Sequence, residues 1–153
     1  MTTLVVEPTF LDTNILIYAS IAEAPWHATA LSAIQKWEQV GIELWISRQV
    51  LREYLAVLSR PQVFTSPISI TTLIAEIRAF ESRFQIAEDG PQITANLLKL
   101  LEQVSIGGKQ VHDANIVATM QAYNLKHLLT HNTADFDRFA NYVTVAPLEK
   151  SSA

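Results

Sequence analysis

The chain has 153 residues, 49% hydrophobic and 17% charged, which is one ordinary globular domain with enough apolar material for a core and no room for a sizeable second one. A formal net charge of -4 and a sequence pI near 5.5 exclude a protein that coats nucleic acid by bulk positive charge. Cysteine is absent, so neither a disulfide framework nor a thiolate-held zinc site can form, and a cytoplasmic location is expected. The opening "MTTLVVEPTF" lacks the basic residues of a secretory signal, and no stretch is apolar for long enough to span a bilayer, so no membrane association is expected.

The first β-prone run, residues 8–11 ("PTFL"), leads directly into Asp12, Thr13 and Asn14, three polar side chains set where a strand passes into a helix. Trp26, Ala30, Ile34 and Trp37 then recur at helical spacing, with Pro25 suited to the first turn and Gly41 to the exit. A second run at 43–46 ("ELWI") precedes the stripe Val50, Leu51, Tyr54, Leu55 and Leu58, which Pro61 stops. After "TSPIS" comes the stripe Leu73, Ile77, Phe80 and Phe84, leading into the run 84–87 ("FQIA"). Ile93, Leu97, Leu101 and Val104 form a fourth stripe that Gly107-Gly108 ends, and Ile116, Val117, Met120 and Tyr123 form a fifth. The runs 127–130 ("HLLT") and 142–145 ("YVTV") complete five candidate strands. Strands alternating with helices predict an α/β fold, an open and mainly parallel sheet covered on both faces, because right-handed crossovers place the helices there. One domain is expected over residues 1–153.

In such a fold helix N-termini lie at the same edge as the strand carboxyl ends, where ligands bind. Asp12 closes the first strand, Glu53 stands in the first turns of the helix after the second, Asp113 opens the helix "HDANIVATMQAY", and Asn132 with Asp135 follows the fourth strand. All should crowd one edge. Each has an ordinary reading as well: Asp12, Thr13, Asn14 or Asp113 as a helix N-cap, and Asn132 with Asp135 as a capping-box pair. Glu53 fits that reading less well, because its helical neighbours Gln49, Val50, Ala56 and Val57 include no cation. Three or four carboxylates converging on one edge repel one another unless a cation lies between them, and hard oxygen donors select Mg2+ or Mn2+. Such an ion suits phosphodiester hydrolysis by activated water.

"FLDTNIL", a mid-chain "EY", "VHDANIVATM" and "LLTHNTADFDRF", in that order over nearly the whole chain, resemble the PIN-domain ribonucleases, especially the VapC-type toxins of prokaryotic toxin–antitoxin pairs. The resemblance implies a three-layer α/β/α sandwich around a sheet of four to five strands. It implies a Mg2+- or Mn2+-dependent endoribonuclease with RNA as substrate, a small antitoxin as partner, and homodimers. Asp12, Glu53 and Asp113 match the family's first three acidic positions, with Thr13 and Asn14 as small polar neighbours. The fourth falls at Asn132 or Asp135; Asp135 is the favoured acid, with Thr130 and Asn132 lining the site. His112 is expected to be structural or to support the site from behind. Arg48, Arg52, Lys109 and Arg138 are the cations available to grip a substrate, although plain surface charge is the commoner role. Trp26, Trp37 and Trp45 are expected in the core.

Two rival readings remain open. A phosphatase of the haloacid-dehalogenase type also places an aspartate after its first strand, but wants a second acid where this chain has Asn14. A catalytically idle interaction module would use the acids only as caps and solvated charges.

Overall fold

The computed structural model describes residues 7–149. Five strands, β1 (Thr9–Leu11), β2 (Leu44–Ser47), β3 (Gln85–Ala87), β4 (His127–Leu129) and β5 (Thr144–Ala146), pair in parallel in the order β3-β2-β1-β4-β5. The central strand is β1, in register Phe10 with Trp45 on one side and with Leu128 on the other. Phe10, Leu11, Ile46, Leu128 and Leu129 are all within 1% of full burial, as strands covered on both faces require.

The helices are α1 (Thr13–Ser20), α2 (His27–Gln39), α3 (Arg48–Leu58), α4 (Ile70–Arg83), α5 (Pro91–Gln103) and α6 (Gln110–Ala122), with a 3-10 helix at Thr133–Phe139. Chain direction fixes their layers. The steps β1 to β2 and β2 to β3 run one way along the sheet, so right-handed crossovers put α1 to α4 on one face. The return from β3 to β4 and on to β5 puts α5, α6 and the 3-10 helix on the other. The result is the expected three-layer sandwich, and α5 packs on α6 while α1 packs on α2 and α3. Among the described residues no helix is long and apolar enough to cross a membrane.

The predicted stripes carry the core. Ala30 and Ile34 of α2, Val50, Leu51, Tyr54 and Leu58 of α3, Leu73 and Phe80 of α4, and Ile116, Val117 and Met120 of α6 are buried, and the Tyr54 ring meets Phe80 edge-on at 5.0 Å. Gly41 ends α2 in the left-handed region (φ 84), which glycine adopts without a Cβ clash.

Three details differ from expectation. Pro25 lies outside α2, because Trp26 (φ 65) turns the chain through the left-handed region and the helix begins at His27. On α5 the buried leucine is Leu100, while Leu101 is 37% exposed. The last strand begins at Thr144, because the amides of Tyr142 and Val143 are spent closing a turn onto the Phe139 carbonyl. Of the three tryptophans none is fully buried; Trp26, Trp37 and Trp45 pack against the core from its margin.

Candidate active site

The strand order reverses between β1 and β4, and a crevice at the carboxyl ends of these two strands is where such sheets bind ligands. Asp12 leaves β1 at that point and Thr130 leaves β4, and the Thr130 hydroxyl donates to Asp12 Oδ2 at 2.8 Å. Asp12 is also the N-cap of α1, its Oδ1 accepting from the Thr13 amide at 2.8 Å. The capping reading of Asp12 therefore holds.

Asn14 completes the bracket. Its Nδ2 donates to Asp12 Oδ2 (3.3 Å) and to the Thr130 hydroxyl (3.2 Å), while its Oδ1 accepts from the His131 amide (3.0 Å). The His131 ring then rests against Trp26, centroids 4.8 Å apart, and edge-on to Tyr18. Asn14 is thus a strut between the two strand ends, with every amide atom in use.

Glu53 reaches the same edge from the second turn of α3. The Thr13 hydroxyl donates to its Oε2 at 2.8 Å and Gln49 Nε2 donates to its Oε1 at 2.9 Å, so both oxygens are directed by neighbours. Asp113 comes from the first turn of α6, but caps nothing: the N-cap is Lys109, which makes no side-chain cap bond. Asp135 lies in the first turn of the 3-10 helix. Asn132 precedes that helix without a side-chain cap bond; its amide donates to the Thr130 hydroxyl and its carbonyl accepts from the Asp135 amide. The capping-box reading of this pair therefore does not hold.

Electrostatics join the four acids. The Asp113 carboxyl is pushed up to about 6, first by burial and then by the charges of Asp135, Asp12 and Glu53, with His112 opposing. Asp12 is likewise pushed up to about 6, chiefly because it is only 7% exposed; the bonds from Thr130, the Thr13 amide and Asn14 pull it back, and Glu53 adds repulsion. Among the described residues no lysine or arginine is ion-paired with Asp12, Glu53, Asp113 or Asp135. Nor do three acids or histidines stand together as a closed metal-holding set. The donor set is all carboxylate oxygen, burdened by its own negative charge, and chemically fits a hard divalent cation completed by water or substrate oxygens.

The cations expected to grip a substrate are largely engaged elsewhere. Arg48 bonds both Glu81 and Glu88, Arg52 pairs loosely with Asp89, and Arg138 donates to the Ser105 carbonyl and Gln110. Lys109 is exposed in the turn at Gly108 (φ 59). His112 is exposed, and its carbonyl accepts from Gln49.

A PIN domain family model matches residues 9–142, a span that contains all four acids and every strand but β5. The chain belongs to the PIN-domain family. The phosphatase reading is thereby set aside, in keeping with Asn14 as a strut. Ribonuclease VapC48 of Mycobacterium tuberculosis is 23% identical over 133 residues, covering 84% of this PIN domain chain and 89% of that protein. Among solved structures, a DNA-bound VapBC from Salmonella typhimurium is similar with a TM-score of 0.67 at 16% identity, covering 93% and 98% of the two chains. VapBC2 from Rickettsia felis, bound to a promoter DNA fragment, is similar with a TM-score of 0.65 at 22% identity, covering 92% and 98%.

Two residues of the site escaped the sequence reading. Gln49 and Asn115 are amides on helices, with no charge or periodicity to single them out; position i-4 from Glu53 and i+2 from Asp113 was the available signal.

Proposed function

We propose that this PIN domain is an endoribonuclease that hydrolyses RNA phosphodiesters, acting in the cytoplasm as the homodimeric toxin of a toxin–antitoxin pair and restrained by a small antitoxin. The observation that carries the reading is the set of acids at the carboxyl edge of the sheet, where Thr13 bonds both Asp12 and Glu53 and Asp113 stands in the first turn of α6. Sequence similarity to a ribonuclease over most of both chains supports the substrate class, and VapBC complexes among the structural relatives support the antitoxin.

Asp12, Glu53 and Asp113 would hold Mg2+ or Mn2+, with Asp135 supporting a second ion, and the ion would supply a polarised phosphate and an activated water. Thr13 and Gln49 orient Glu53 through its two oxygens. Thr130 and Asn14 orient Asp12 by holding its Oδ2. Asn132, exposed beside Thr130, lines the approach. Water so activated would serve as the nucleophile for phosphodiester hydrolysis, and no covalent intermediate with a side chain would be required.

The test is cleavage of RNA by the purified chain with Mn2+, with EDTA, and by Asp12→Asn and Asp113→Asn. Both variants should fold and neither should cleave. Wild-type levels of cleavage in either variant would sink the assignment, and a wild type that neither cleaves RNA nor binds Mn2+ would leave an idle interaction module.

A further inference from the structure

We infer that Gln49 is a positioning residue that locks Glu53 and the first turn of α6, and with it Asp113, into one frame. The inference rests on the nuclease reading above. Gln49 is the second residue of α3 and only 6% exposed, so its amide must find partners inside the protein. It finds three. Nε2 donates to Glu53 Oε1 at 2.9 Å and to the His112 carbonyl at 2.9 Å, and Oε1 accepts from Asn115 Nδ2 at 2.7 Å. The His112 backbone carbonyl can only accept, so the amide is held in one orientation by its surroundings.

The placement gives this bracket its meaning. Helices α3 and α6 lie on opposite faces of the sheet, and Gln49 near the start of α3 bonds His112 and Asn115 of α6 over the sheet's carboxyl edge. Among the described residues the two bonds from Gln49 to His112 and Asn115 are the side-chain hydrogen bonds that join them. Asp113 sits between those two partners in sequence, while Glu53 lies one helical turn beyond Gln49. One amide therefore ties the acid of one layer to the acid of the other. Thr13 performs the matching task from α1, so a continuous chain of bonds runs from Thr130 through Asp12, Thr13, Glu53 and Gln49 to α6.

An amide that only stabilised packing would change melting temperature and leave turnover alone well below it. A positioning amide changes turnover. Gln49→Met keeps length and burial but donates nothing, and Asn115→Ala removes only the bond that holds the Gln49 carbonyl oxygen. With Mn2+ and RNA, well below the melting temperature, Gln49→Met should lower kcat about 10- to 100-fold with KM changed by less than about twofold. Asn115→Ala should lower kcat less, and the double variant should match Gln49→Met, because both changes break one network. Apart from activity, Gln49→Met should shrink the rise in melting temperature that Mn2+ produces.

A kcat for Gln49→Met within about twofold of wild type, or losses in the double variant that simply multiply, would overturn the inference. Should Gln49→Met not fold, Asn115→Ala decides: a lower kcat at constant KM supports the bracket, and an unchanged kcat refutes it. A wild type that neither cleaves RNA nor gains stability from Mn2+ overturns the nuclease reading itself, and the inference with it. A wild type that does both, beside an unaffected Gln49→Met, refutes the positioning role alone.

Discussion

Asp113→Asn should make the metal-free protein more stable at neutral pH. The wild-type carboxyl is raised from 3.8 to about 6, by burial first and then by Asp135, Asp12 and Glu53. A carboxyl raised on folding favours the protonated form, so its contribution is most favourable below about pH 4 and is lost as pH rises through about 6. Above that the ionised group strains the fold. The rise corresponds to about 3 kcal/mol at about 1.4 kcal/mol per pH unit. Asp113 is only partly buried, however, and screening by solvent reduces the figure to about 1 kcal/mol. Asparagine removes the charge, and among the described residues Asp113 makes no side-chain hydrogen bond for the change to break. In EDTA at pH 7.5 the melting temperature should therefore rise by about 2–4 °C, measured by scanning calorimetry. At pH 4, with the wild-type group largely protonated, the gain should nearly vanish. An unchanged or lower melting temperature at pH 7.5, or an equal gain at both pH values, would refute the reasoning.

Mn2+ should raise the melting temperature of the wild type with concentration and do little for Asp113→Asn; equal rises would mean that the ion binds elsewhere. Thr130→Val removes the hydroxyl shared by Asp12, Asn14 and the Asn132 amide, and should cost about 1–3 kcal/mol in denaturant unfolding because buried groups lose their partner. Asp135→Asn should slow RNA cleavage with little loss of stability, whereas an inert Asp135→Asn beside a more active Asn132→Asp would move the fourth role to position 132. Asn124 sits in the left-handed region after α6 (φ 56), so Asn124→Ala should lower stability by about 1 kcal/mol without touching activity.

What could be read from the chain was whatever repeats or punctuates. Short β-branched and aromatic runs located the five strands to within two or three residues, and the stripes on α3 and α6 named the buried faces, because burial on one side leaves a periodic trace. Two adjacent leucines at 100 and 101 both fit the α5 spacing, and only the neighbouring helix decides between them. Pro25 was a fair first-turn residue by local chemistry, but the Trp26 contact with His131 belongs to a strand end a hundred residues away. The acids could be placed at one edge from topology alone. Their hydrogen-bond partners could not, since Gln49, Thr130 and Asn14 act across distances that no local pattern encodes. The arginines illustrate the same point: Arg48 stands at the start of the right helix, yet Glu81 and Glu88 claim it.

The bond between Thr130 and Asp12 also sets a clock. Its two ends are 118 residues apart, and β1 can pair with β2 long before β4 has been made. At synthesis rates of about 5–20 residues per second, roughly 6–24 s pass between translation of Asp12 and of Thr130. Throughout that interval the central strand has one neighbour at most, and the carboxylate at its end lacks the hydroxyl that holds it. The emerging polypeptide therefore has no assembled acidic edge until β4 and Thr130 have been made, however early Asp12, Glu53 and Asp113 leave the ribosome.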